Sequence, residues 1–231
     1  MAGPRTERAP GRASFGNLLS DSDRTALEGI GRRTAFPAGT VLMHEGVHGE
    51  GVFLLLEGVV KATSVTGSGR EVVLAFRGAG ELIGDLAMID DRPHSSTVVA
   101  VEPVEALLIS SRDFRAFLEQ RPGAGIALIR MVVDRFRDTD RKLIEFSASD
   151  ALGRVASRLL ELATSHGEQS DKGISIALHL SQEELAGWSG CSVKAVVNSL
   201  QTLRRLGLIE TGRRRITILD LEGLEARALV V

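Results

Sequence analysis

Between Thr34 and Ser110 the chain sets short apolar, β-branched runs among closely spaced glycines. The runs are Val52 to Leu56, Val72 to Phe76, Thr97 to Val101 and Leu107 to Ile109. Glycines that read as turns stand at Gly39, Gly46, Gly58, Gly67, Gly69, Gly78 and Gly80. This alternation constrains the fold more than any other feature. A helix needs about ten residues with a 3.6-residue apolar period, and the glycines, with Pro93 and Pro103, leave no window of that length uninterrupted. Short strands that end in turns pair with their chain neighbours, which predicts an antiparallel sandwich, barrel or roll.

The texture changes from Arg112 onward. After Pro122-Gly123 the positions Ile129, Val132, Phe136, Thr139, Leu143 and Phe146 are separated by 3, 4, 3, 4 and 3 residues. That is one seam of a two-stranded coiled coil, flanked by Asp134, Arg135, Arg137, Asp138, Arg141 and Lys142. A helix packed on its own roll would also need an apolar stripe. The threonine in the seam and the charges on both flanks favour a dimer helix. Ser149-Asp150 reads as a break and N-cap opening a helix through Gly153 to Ala163. Near the start, Ser20-Asp21-Ser22-Asp23 ahead of Leu27 and Ile30 predicts a short capped helix. The expected organisation is α+β: a flexible tail over 1–14, an antiparallel β-roll over 15–121, a dimerisation helix over 122–148 and a third domain over 149–231.

The C-terminal third carries the sharpest local signal. Ser181-Gln182-Glu183-Glu184 is a capping box ahead of Leu185-Ala186. Gly190-Cys191-Ser192 makes a turn, and Ser192 caps a helix to about Arg205. Ala186, Gly190 and Val196 have the small, turn and apolar spacing of a helix-turn-helix. The run from Ile209 to Ile218 reads as a β-hairpin with a basic tip, Arg213-Arg214-Arg215, that is, a wing.

Charge supports the same reading once it is divided by segment. The whole chain has a net charge of −2, which suggests no polyanionic partner. Between Trp188 and Ile218, however, six basic residues stand against one acidic residue, giving +5. The positives fall on the recognition helix, its end and the hairpin tip, where phosphates would lie. Candidates for contact with double-stranded DNA are Gln182, Ser192, Val193, Lys194, Asn198, Gln201, Arg204, Arg213, Arg214 and Arg215.

A β-roll, a dimer helix and a winged helix-turn-helix together resemble the CRP/FNR family of bacterial transcription regulators. The resemblance covers Leu18 to Ile218. It rests most on Gly84-Asp85-Leu86-Ala87, on Pro93-His94-Ser95-Ser96-Thr97-Val98-Val99-Ala100 and on Leu180-Ser181-Gln182-Glu183-Glu184-Leu185-Ala186. It implies a homodimer on a palindromic site, RNA polymerase as a partner and a cyclic-nucleotide cassette at Gly84, Asp85, Leu86, His94 and Ser95. It also implies that Thr139 and Asp140 of the long helix face the base. Cyclic-nucleotide-binding members carry Glu where Asp85 stands, Arg where His94 stands and Ser where Asp140 stands. His94 lacks the bidentate fork and fixed charge of an arginine. The effector is therefore cAMP, another cyclic nucleotide or small anion, or none, the last giving a constitutive DNA binder with a vestigial pocket. The recognition helix departs too: the family's Ser-Arg-Glu-Thr-Val is Ser192-Val193-Lys194-Ala195-Val196 here. That predicts a half-site unlike TGTGA, with Asn198 able to read adenine and Val193 a thymine methyl.

Other chemistry finds less support. His44-Glu45-Gly46-Val47-His48 matches the H-E-x-x-H pattern of a zinc metallohydrolase, but that mechanism needs a helix, and Gly46 and its glycine neighbours argue for a turn. Haem ligation by His44, His48 or His94 has nothing beyond the histidines behind it. The single cysteine, Cys191, excludes a disulfide and an iron–sulfur cluster within the chain and reads as a small buried filler. Trp188 reads as helix–helix core. With no signal-peptide pattern and no apolar run of membrane-spanning length, a cytoplasmic, non-enzymatic protein is expected.

Overall fold

The computed structural model describes residues 14–49, 51–67, 69, 71–177, 180–212 and 215–228. Of the expected tail over 1–14, residues 1–13 lie outside the described residues, whereas Ser14 is buried at the start of the first helix, where its carbonyl accepts from the Asn17 N–H at 3.0 Å. The chain divides into two compact units, one over Ala13–Asp138 and one that includes Thr139–Val231.

The first unit opens with α1 (Phe15–Leu18) and α2 (Asp21–Ile30), the latter capped by Ser20, whose Oγ accepts from the Asp23 N–H at 3.1 Å. Then come β1 (Arg32–Phe36), β2 (Val41–Met43), β3 (Gly51–Glu57), β4 (Val60–Val65), β5 (Glu71–Arg77) and β6 (Leu82–Ile83). A short helix α3 (Asp85–Asp90) separates them from β7 (Thr97–Ala100) and β8 (Val104–Ser110). All pairings are antiparallel, in two four-stranded sheets ordered β1-β8-β3-β6 and β2-β7-β4-β5. Both α4 (Ser111–Gln120) and the long α5 (Pro122–Ala148) follow.

The alternation of β3 and β8 creates two cores. Leu55 and Ala106 face the interior between the sheets with Met43, Val60, Ile83 and Val98. Their neighbours Leu54 and Leu107 point the other way, to a second core with Phe15, Leu27, Phe114, Phe117, Leu128 and Met131. Successive strand residues point to opposite faces, so a strand buried on both sides must be apolar without interruption. That is why Val52 to Leu56 is a continuous apolar run.

Helix α5 corrects one sequence expectation. Leu128 and Met131 are buried and Val132 packs against the same core. The exposed apolar stripe is instead Ile126, Ile129, Val133, Phe136 and Leu143, and Asp140 rather than Thr139 continues its register. The shift has a simple cause: a helix row recruited to cover the roll cannot also face outward. Phe146, expected at the end of the seam, lies across the turn of the second unit.

In that unit, α6 (Ala151–His166) is capped by Asp150, which accepts from the Gly153 N–H at 2.8 Å. Next come β9 (Gly167–Ser170), β10 (Gly173–Ile176), α7 (Gln182–Ser189), α8 (Val193–Arg205), β11 (Ile209–Gly212), β12 (Arg215–Ile218) and α9 (Leu221–Ala228). Its antiparallel sheet runs β11-β12-β10-β9. No described helix is long and apolar enough to cross a membrane.

Val132→Ala should destabilise the first unit by about 1 kcal/mol, as expected for shortening a partly buried side chain. Urea denaturation checks this; an unchanged midpoint would return Val132 to the exposed stripe.

Candidate nucleic-acid interface and ligand cassette

Helix α7 begins with a complete capping box. Ser181 Oγ accepts from the Glu184 N–H at 3.0 Å, and the Glu184 carboxylate accepts from the Ser181 N–H at 2.8 Å. The helix ends at Gly190, whose φ of 62° is left-handed. A Cβ there would also lie 2.5 Å from the Phe146 ring, so glycine is required twice over. Ser192 then caps α8, accepting from the Ala195 N–H at 3.2 Å. Leu185, Ala186, Trp188, Cys191, Val196, Ser199 and Leu203 are buried beneath the pair. Packing fixed on one side of α8 leaves the opposite side outward.

That outward side carries Lys194, Asn198, Gln201 and Arg205, spaced 4, 3 and 4 residues, and all are exposed. Such spacing puts them on one helix face. Ser192 and Val193 are exposed at its N-terminal end, and Gln182 at the start of α7. Arg204 turns toward the wing, where its Nη1 donates to Thr211 Oγ1 at 3.2 Å. Arg215 is exposed at the start of β12; Arg213 and Arg214 lie outside the described residues. Sequence reasoning missed Arg205, although the 4, 3, 4 spacing from Lys194 identifies it. The surface is basic, amide-bearing and helical, suited to phosphates and base edges in a major groove.

The cassette residues in the first unit are arranged differently. Asp85, first residue of α3, is buried. Its oxygens accept from Arg135 Nη1 at 3.1 and 2.9 Å, and Arg135 Nη2 donates to the Leu82 carbonyl at 2.6 Å. Arg135 read in the sequence only as a helix-flank charge, with nothing to single it out. Leu86 and Ser95 are exposed, and Gly84 precedes α3 in a left-handed conformation.

His94 is buried and held by backbone hydrogen bonds to the 44–49 turn: its N–H donates to the Val47 carbonyl and its carbonyl accepts from the Gly46 N–H, both at 2.9 Å. Its ring abuts Gly49, where a Cβ would lie 2.3 Å from Nε2. Burial holds the imidazole pKa below its usual value, and His48 pushes the same way. Thr139 and Asp140 are exposed on α5 and belong to the second unit.

The His44 to His48 stretch forms a turn, so it does not place the two histidines on one helix face. Glu45 accepts from Ser64 Oγ at 2.8 Å, and its N–H donates to Thr97 Oγ1 at 3.1 Å. Among the described residues no group of three or more His, Cys, Asp or Glu could hold a metal ion.

These parts, a strand roll and a winged helix-turn-helix, match known families. Residues 33–121 match the cyclic nucleotide-binding domain and residues 153–227 the Crp-like helix-turn-helix domain. The chain is 30% identical over 193 residues to a CRP-like cAMP-activated global transcriptional regulator of Mycobacterium tuberculosis, covering 84% of this chain and 86% of that protein. It is 28% identical over 215 residues to the cyclic AMP receptor protein of Thermus thermophilus, covering 93% and 96%. The structure of FixK2 from Bradyrhizobium japonicum shares the fold with a TM-score of 0.77 at 18% identity, covering 87% of this chain and 99% of that one. The fold and the two domains define a DNA-binding transcription regulator rather than an enzyme. The chain belongs to the CRP/FNR family.

The lowered pKa of His94 sets a sign for pH dependence. The unfolded chain takes up this proton more readily than the folded one. Stability from the neutral ring is therefore full above about 6.5 and lost as pH falls through the lower folded value. The urea midpoint of the wild type should fall from pH 6.5 to about pH 5, and His94→Gln should fall less. Parallel curves would show that His94 does not carry the effect. Arg135→Ala, which strands a buried carboxylate, should cost about 3 kcal/mol in the same assay.

Proposed function

We propose that this regulator acts as a homodimer on palindromic DNA, pairing through α5 and reading each half-site with α8. The observation that carries the DNA reading is the exposed Lys194, Asn198, Gln201 and Arg205 face on a helix whose opposite side is locked into the unit. The pairing is supported by Ile126, Ile129, Val133, Phe136 and Leu143, which lie exposed along one stripe of α5. A second copy in parallel would cover that stripe, as a coiled coil covers its seam. Two recognition helices about 34–36 Å apart reach successive major grooves. On this reading the roll spans 15–121, the dimer helix 122–148 and the reading head 149–231. The protein works in the cytoplasm, and RNA polymerase is the partner through which it alters transcription.

We further propose that the cassette at Gly84, Asp85, Leu86, His94 and Ser95 receives a small anionic effector, a cyclic nucleotide being the chemistry to test first. The relatives named above as cAMP-activated or cyclic AMP receptor proteins support that choice. One observation favours a second reading, a constitutive DNA binder. The Asp85 carboxylate is buried and already paired with Arg135, and His94 supplies no fixed positive charge. A ligand hydroxyl reaches Asp85 only if that pair rearranges.

Selection from a random duplex library should return a palindrome whose half-sites differ from TGTGA, and recovery of TGTGA would contradict the proposed role of Val193 and Lys194. Asn198→Ala should relax one half-site position and cost about 1–3 kcal/mol. Phe136→Asp should give a monomer by analytical ultracentrifugation; an unchanged dimer would place the interface elsewhere. Calorimetric titration with cAMP, cGMP and cyclic dinucleotides, with and without the selected DNA, separates the two effector readings: no heat together with tight DNA binding selects the constitutive one.

A further inference from the structure

The second unit contains a buried ionic cluster that the DNA-reading face does not use. Arg158 of α6 is only 3% exposed. Its guanidinium donates to Glu161 at 2.8 Å and to Glu145, a residue of α5. Lys142 of α5 pairs with Glu161 at 3.4 Å. Both cations lie against Trp188 of α7, with Arg158 at 5.4 Å and Lys142 at 5.6 Å from the ring centroid.

One turn earlier on the same α6 face stands Arg154. Its Nη1 donates to the Ser149 carbonyl at 2.7 Å and its Nε to the Ser189 carbonyl at 3.0 Å, at the end of α7. Its guanidinium also lies 5.9 Å from the Phe146 ring, which covers Gly190. Apart from the Arg158–Glu161 pair within α6, these links join the end of α5 to the helix-turn-helix, directly or through α6. The Ser149-Asp150 break, read in the sequence as the start of a new helix, is bridged on both sides.

We propose that Lys142, Glu145, Phe146, Arg154 and Arg158 form a clamp that fixes the angle between the end of α5 and the recognition helix, and that these are positioning residues for DNA binding. The physical case is the burial. An arginine held out of water between two carboxylates and an aromatic face is costly to leave half-partnered, so the cluster has one good arrangement. Guanidinium forks then make that arrangement directional. A single half-site contact does not need a fixed angle. Two half-sites bound at once do, because the second head docks only if the first holds it in place. The inference rests on the palindrome reading above.

The test uses the full-length protein with Glu145→Gln and, as a second variant, Phe146→Leu. Both side chains lie on α5 away from the DNA-facing stripe. Affinity is measured by fluorescence anisotropy on selected DNA with one half-site and with two. Iodide quenching of Trp188, the chain's only tryptophan, is read without DNA. A clamp predicts half-site affinity within about twofold of wild type, two-half-site affinity reduced about tenfold or more, and quenching raised about twofold. Equal losses on both fragments, or no change in either affinity, would overturn the proposal. If the wild-type protein does not prefer two half-sites, the palindrome reading fails instead. The clamp is then judged on quenching alone: a rise in both variants sustains it, and no rise overturns it.

Discussion

A single helix has to satisfy three surfaces, and the rest of the structure depends on how it does so. The 27 residues of α5 cover the helical core of the roll with Leu128 and Met131, expose Ile129, Phe136 and Leu143, and end in Lys142, Glu145 and Phe146 against the reading head. An α-helix presents only one residue to each direction per turn or so, so these demands compete for register. The roll wins at Val132, which is why the exposed stripe passes through Val133. The reading head wins at Phe146, whose ring closes over Gly190.

Charge in the cassette is arranged with similar economy. Asp85 would be an expensive buried carboxylate alone, and Arg135 supplies both its partner and a hydrogen bond to the Leu82 carbonyl. His94 is kept toward its neutral form by burial and by His48. On the proposed effector reading, an incoming anion would engage the Arg135 guanidinium only in exchange for its bonds to Asp85. An effector that could break this pair would have to supply its own partner for Asp85, such as a hydroxyl donor.

Much of this was legible in the sequence because local chemistry and tertiary demand agree. The short apolar, β-branched runs fall in β3, β5, β7 and β8. The capping box at Ser181, the turn at Gly190 and the cap at Ser192 each specify a backbone conformation through residues a few positions apart. What was not legible depends on distant partners. Strands β1 and β4 carry Arg32, Arg33, Lys61 and Ser64, so no apolar run betrays them; their pairing with β8 and β5 decides them. Arg135 read as a helix-flank charge and nothing singled out Arg154 or Arg158, since nothing in their neighbours encodes the carboxylates and carbonyls they meet. Arg205 was missed beside Arg204, which turns away to Thr211.

In the proposed complex, two α8 helices held on one dimer read two half-sites together. Hydroxyl-radical footprinting of the selected DNA tests it most directly. Two protected patches are expected, centred one helical turn apart, roughly 10 bp, and related by the symmetry of the site. A single patch, or protection without that spacing, would contradict it.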